Sequence, residues 1–247
     1  MATFTAGAAG VDFDILDLGP LISAAQFGNT PTSSGLTLPG VSTSIFGQGF
    51  TFAAAGPPLT GTINRIVVSA DGSGQVYDID LLSIPAATFR ALVAAGDNAG
   101  VKAAIFAGSD SFAGSGLDDR LRAFAGADSI AGGAGADFLD GGEGDDSVTA
   151  GVGNDTIVDA EGTNYLRGDE GDDFAVGGLG FDDINGNMGN DTVMTGPGDD
   201  YCVGGKDNDL LFGDAGQDLV YGNLGADTCV GGTGDDIVRG GQDNDLL

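Results

Sequence analysis

The sequence predicts an all-β protein built around a parallel β-roll over residues 107–247. A small β-sandwich-like domain over 1–82 and a short helical connector over 83–106 come before it. Three observations carry this. Nine-residue units recur without loss of register from Ile105 to Leu247, giving 16 units, the last one residue short. Position eight of the unit is apolar in all 16, and position six is Asp in 15 and Asn164 in the other. Upstream of the repeat, apolar and polar residues alternate in short runs broken by Gly and Pro, the pattern of half-buried strands and turns.

The repeat explains its own residue types. GGAGADFLD, GGEGDDSVT and GNMGNDTVM are typical units, and position four is Gly in 13 of the 16, with Leu117, Asp207 and Asp243 as the exceptions. Gly in the first half allows the sharp turns that need positive φ. The last three residues suffice for one short strand, with position eight inward and positions seven and nine outward. Two units then make one coil of 18 residues. Coils stacked at the strand spacing form two parallel sheets back to back, a rod about 40 Å long for eight coils.

Position six makes such a rod expensive. One column would hold Asp110, Asp128, Asp146, Asn164, Asp182, Asp200, Asp218 and Asp236, and the other Asp119, Asp137, Asp155, Asp173, Asp191, Asp209, Asp227 and Asp245. Residues 105–247 carry 30 acidic and 5 basic residues. A core one apolar residue wide gains about 1.5–3 kcal/mol per buried Val, Ile or Leu. Backbone ordering costs about 1–2 kcal/mol per residue, so repulsion along the columns is not affordable without counter-cations. Ca²⁺ suits the available donors: it takes carboxylate and main-chain carbonyl oxygens, and Gly-rich turns expose carbonyls. Asp and Gly acting only as turn formers in a metal-free solenoid is the blander reading, but Asn and Ser would serve there without the repulsion. Seven gaps in each column allow at most 14 inter-turn ions. The unit DAEGTNYLR, Asp159–Arg167, lacks both opening glycines and has Asn164 in place of the carboxylate, so the gaps on either side of Asn164 are expected to bind less tightly.

The motif G-G-x-G-x-D-x-U-x resembles the RTX, or haemolysin-type calcium-binding, repeat. That resemblance covers residues 105–247. It implies a calcium-loaded β-roll in which each ion sits between consecutive turns on one side, held by position-six carboxylates and turn carbonyls. It also implies a bacterial protein, secreted or on the cell surface, exported by a type I system that reads an uncleaved C-terminal signal. The sequence stops at Leu247 inside a repeat, which is the expectation for a fragment of a longer chain.

Upstream, Val11–Leu18 alternates apolar and acidic residues, and Val41–Phe46, Phe50–Ala54, Thr60–Ser69 and Gln75–Leu82 also read as strands, the last two joined by a hairpin through Ala-Asp-Gly-Ser-Gly. Gly28–Gly40 reads as a loop. In the connector, Ser83 is positioned to cap a helix with Pro85 in its first turn, and Asp97 to cap a second. This segment is expected to cover the open first coil. Cys202 and Cys229 both fall at position eight and read as buried, unbridged apolar residues.

Composition excludes several functions. The net charge of −29 disfavours nucleic acid and anionic membranes as partners. No apolar run reaches the length of a membrane helix, and the N-terminus lacks a cleavable secretory signal. With no His there is no His-ligated zinc and no Ser-His-Asp triad, and neither a G-x-S-x-G elbow nor a P-loop occurs. The expectation is therefore a non-enzyme. It is either a calcium-ordered structural protein that self-associates or joins a surface layer, filament, matrix or adhesin, or the folding and secretion module of a larger enzyme or toxin.

Overall fold

Each nonapeptide folds as a turn and a short strand, and successive units alternate between two sheets. The computed structural model describes residues 106–247 throughout, Gly100 and Ala103 before them, and the backbone of five N-terminal strands. Those five are β1 (Thr3–Ala6), β2 (Ser33–Leu38), β3 (Val41–Phe52), β4 (Pro58–Ala70) and β5 (Gly74–Pro85). In the roll, β6 (Ser111–Ala113), β8 (Ser129–Ala134), β10 (Ser147–Val152), β12 (Asn164–Glu170), β14 (Asp182–Met188), β16 (Tyr201–Lys206), β18 (Leu219–Leu224) and β20 (Ile237–Gln242) lie on one side. The other side holds β7 (Arg120–Arg122), β9 (Phe138–Asp140), β11 (Thr156–Val158), β13 (Phe174–Val176), β15 (Thr192–Met194), β17 (Leu210–Phe212) and β19 (Thr228–Val230). No helix lies within residues 106–247.

All roll pairings are parallel and keep one register. Val148 pairs with Leu166, Leu166 with Ile184, and on the second sheet Ile157 pairs with Ala175 and Ala175 with Val193. Each offset is 18 residues, so equivalent positions stack directly. Position eight points between the sheets as expected: Leu121, Leu139, Val148, Ile157, Leu166, Ile184, Leu211 and Val220 are fully buried. A one-residue slip would turn this whole set to solvent, which fixes the register strongly.

Turn positions two and four carry most of the positive φ values. Gly142, at φ 105°, shows why: a Cβ there would strike the Phe124 carbonyl of the preceding coil. Asp and Asn fill some of these places, including Asp169, Asn187, Asp207 and Asn223, in keeping with their tolerance of left-handed backbone.

The N-terminal strands correct three details of the sequence reading. Gly28–Gly40, expected as a loop, contains β2, whose partners on β3 (Ser33 with Phe46, Leu38 with Val41) override its turn-rich composition. Ser83–Pro85, expected to open a helix, end β5 instead, with Ile84 paired to Ile63 and Pro85 to Thr62. Val41–Phe46 and the described part of Phe50–Ala54 fall in the single strand β3, which pairs with β4 through register shifts near Gly47 and Gln48. The β4–β5 hairpin is as expected. These strands form one antiparallel run, β2-β3-β4-β5-β1, and β1 continues it into the roll by pairing parallel to β6, Phe4 with Phe112. One 13-stranded sheet results, and among the described residues the five N-terminal strands belong to that sheet alone. The first coil is thus met on one sheet by β1. Val11–Leu18 and most of the 83–106 connector fall outside the described residues.

Candidate metal centre

The site is built by stacking. The position-six side chains stand at the foot of their turns, where the strands begin, and the 18-residue register places each beside its equivalent in the next coil. In all 14 consecutive pairs the main-chain N–H of one residue donates to Oδ1 of the next, from Asp110 to Asp128 (2.6 Å) through Asp227 to Asp245 (3.1 Å). The structure therefore brings together all sixteen residues singled out in the sequence, as two continuous columns. Fourteen of the sixteen are buried, and Asp236 and Asp245 in the last coil are half-buried.

The second carboxylate oxygen decides the chemistry. Oδ2 of Asp128, Asp137, Asp146, Asp155, Asp173, Asp182, Asp191, Asp200, Asp209, Asp218 and Asp227 is buried and has no hydrogen-bond donor. Where position one of the unit is glycine, Oδ2 lies over it, and at Gly132, Gly168, Gly177, Gly213 and Gly222 a main-chain carbonyl of the next coil also arrives. The point where Gly132 would carry a Cβ is 2.5 Å from Asp137 Oδ2 and 2.5 Å from the Ala150 carbonyl oxygen. At Gly213 the same point lies 2.7 Å from Asp218 Oδ2 and 2.6 Å from the Gly231 carbonyl, and at Gly222 the Gly240 carbonyl comes to 2.5 Å beside Asp227 Oδ2. Two acceptors converge with no donor between them, in a space kept open by glycine. An isolated buried carboxylate costs several kcal/mol, so these oxygens fit a cation held between them.

Electrostatics agree. Burial pushes the carboxyls of Asp128, Asp182 and Asp209 up to about 7, and those of Asp137, Asp155, Asp173, Asp191 and Asp200 up to about 6. The main-chain N–H bond to Oδ1 opposes this, and charged neighbours in the same column add to it, as Asp146 and Asp110 do for Asp128. Among the described residues no three acidic, Cys or His side chains gather at one point. The donor set is thus one or two carboxylates completed by carbonyls, which suits a hard, oxygen-seeking ion with flexible coordination, namely Ca²⁺. Bound Ca²⁺ would supply positive charge at the convergent oxygens, and the chain itself supplies the fixed spacing.

A family model described as the RTX calcium-binding nonapeptide repeat (4 copies) matches residues 106–139, 122–157, 140–175, 167–202, 194–229 and 221–247. The chain belongs to the RTX calcium-binding repeat family. No curated protein is significantly similar to it along its sequence. The roll is built of RTX calcium-binding repeats, and the family match spans the columns described above. Cys202 and Cys229 are free and buried in this roll, on β16 and β19 of opposite sheets, with burial raising both thiols. Among the described residues no helix is long and apolar enough to cross a membrane.

Sequence reasoning missed one acidic residue. Asp159, noted only as a lost glycine, is 7% exposed, and neither of its carboxylate oxygens has a hydrogen-bond donor. Burial and then the charge of Asp146 push its carboxyl up to about 8. Its signal in the sequence is an Asp at position one, where Gly, Ala or Thr stands in every other unit after Ile105.

Proposed function

We propose that this chain is an extracellular, non-enzymatic structural protein whose RTX roll folds on Ca²⁺ outside the cell and which then associates with copies of itself or with a bacterial surface component. The observation that carries the calcium switch is the buried run of Oδ2 atoms facing carbonyls without a donor. In low cytosolic calcium the columns repel and the chain stays unfolded, a state suited to export through a type I channel. In millimolar calcium, the range over which extracellular modules bind, the columns are neutralised and the coils stack. Self-association is supported by apolar side chains on the outside of an otherwise acidic rod, among them Val152, Leu179, Phe181, Met188 and Leu224.

Circular dichroism in chelator and in millimolar calcium tests the switch. The β signal of the roll should appear only with calcium, and an unchanged spectrum in chelator would sink the reading. The second reading, a folding and secretion module serving an enzyme or toxin domain, shares the switch and differs in assembly. Electron microscopy and sedimentation with and without calcium separate the two: calcium-dependent fibres or sheets support the structural role, and a strictly monomeric species at high concentration supports the module.

A further inference from the structure

The unit Asp159–Arg167 looks like the broken link of the first column, because Asn164 replaces its carboxylate. The side-chain geometry reverses that reading for one of its two gaps. At most turns the space over a position-one glycine receives Oδ2 of the unit's own Asp and a carbonyl from the next coil. Over Gly141 it receives two carboxylates instead. Asp146 Oδ2 lies 2.6 Å from the point where a Cβ would stand, and Asp159 Oδ2, reaching back from the next coil, is the nearest atom to that point. Asp159 is more than nine-tenths buried, and both its oxygens lack a donor. Two buried carboxylates thus converge on one glycine-lined space with no cation from the chain between them.

We infer that Asp159 is a calcium ligand of the gap between Asp146 and Asn164, supplying from position one the carboxylate that Asn164 does not supply from position six. This rests on the reading of the roll as a calcium-folded module. The charge of the unit has moved within it. The neighbouring gap, between Asn164 and Asp182, gains no such replacement. There the Asn164 amide nitrogen donates to the Gly177 carbonyl at 3.4 Å, so an N–H points at the oxygen that a cation would otherwise meet. The two gaps around Asn164 are therefore unequal, the Asp146 side strong and the Asp182 side weak.

The test uses the whole 247-residue chain and Ca²⁺ itself. Ala already occupies position one at residues 123 and 150, so Asp159→Ala keeps a residue that the roll accepts there. Ions per chain are counted by equilibrium dialysis for the native chain, Asp159→Ala, the double change Asp159→Ala with Asn164→Asp, and Asp191→Asn as an ordinary column position. Asp159→Ala should lose one ion, or weaken one at least ten-fold, and adding Asn164→Asp should restore it. Unchanged binding in Asp159→Ala, with one ion lost in Asp191→Asn, overturns the inference and leaves the calcium reading standing. Loss in neither variant overturns the calcium reading itself. Anomalous scattering from crystals of the native chain in calcium gives a check that needs no variant. A peak over Gly141 touching Asp146 and Asp159 supports the assignment, and no peak there with peaks at other gaps overturns it.

Discussion

The antiparallel run β2–β5 and the roll make one continuous sheet, yet they are held by different means. Residues 1–104 carry seven acidic and three basic residues, whereas residues 105–247 carry 30 and 5. Strands of 12 and 13 residues pair in the first region through hairpins, and strands of three to seven residues pair in the second with equivalents 18 residues away, the join of β6 to β1 aside. Long hairpin strands earn many main-chain bonds per turn and bring no carboxylate columns together. The roll spends half of each unit on glycine-rich turns, the residue type that loses most freedom on folding, and buries a like charge every nine residues. A shared sheet therefore does not mean shared stability: one part is held by its strands, the other by its strands and its ions.

Calcium removal should break the comparison most visibly. In chelator, amide hydrogen exchange over 106–247 should lose its protection while β3, β4 and β5 keep theirs. Simultaneous loss in both regions would show that the join at β1 makes them a single cooperative unit. Next in size is the core of the roll. Leu211→Ala removes a fully buried position-eight side chain and should cost about 2–5 kcal/mol in calcium-saturated melts, as deletions in packed cores do. A cost under about 1 kcal/mol would mean that ions and main-chain bonds alone hold that coil.

Acid should sharpen the same contrast. Burial holds the folded-roll carboxyls of Asp128, Asp182 and Asp209 up at about 7 and those of Asp137, Asp155, Asp173, Asp191 and Asp200 at about 6, against 3.8 for an ordinary Asp, so between those values the folded chain binds more protons than the unfolded one. Stability of the calcium-free roll therefore falls as pH rises through this window and is fully present only below it. In chelator, lowering pH from 7.5 to 5 should recover part of the β signal of the roll. The opposite trend would show that burying these charged carboxyls, with their neighbours' repulsion added, is not what keeps the calcium-free chain open. The smallest effect is expected at the thiols. Cys202→Ala should lower the melting temperature by only a few degrees, and oxidation should leave the native chain unbridged, because Cys202 and Cys229 lie in opposite sheets. Mobility on non-reducing gels checks the second point.

What was legible in the sequence follows from the same division. The roll is specified locally: one residue in nine faces in, one in nine stands in a column, and Val148 or Asp146 needs no distant partner beyond its own equivalent. Sixteen repetitions of one local rule left the register and both columns readable before any coordinates. The first region depends on pairings that composition does not encode. Ser33–Leu38 looks like a loop until β3 lies beside it, and Ser83-Ile84-Pro85 looks like a helix start until Ile63 and Thr62 pair with it. Asp159 escaped for a third reason. Its role comes from a side chain crossing between coils, and a consensus compares a residue with its column, not with the space it enters.

The constant offset of 18 residues also has a mechanical side. Extended, those residues span about 60 Å, and wound into one coil they advance the rod by about 4.8 Å. Each coil that closes thus takes up more than ten times the length it adds, and winding all of 105–247 reels about 500 Å of chain into about 40 Å. Each finished coil is also wider than the extended chain that feeds it. Under the export proposed above, ion binding outside would turn the closure of each coil into traction on the part still inside.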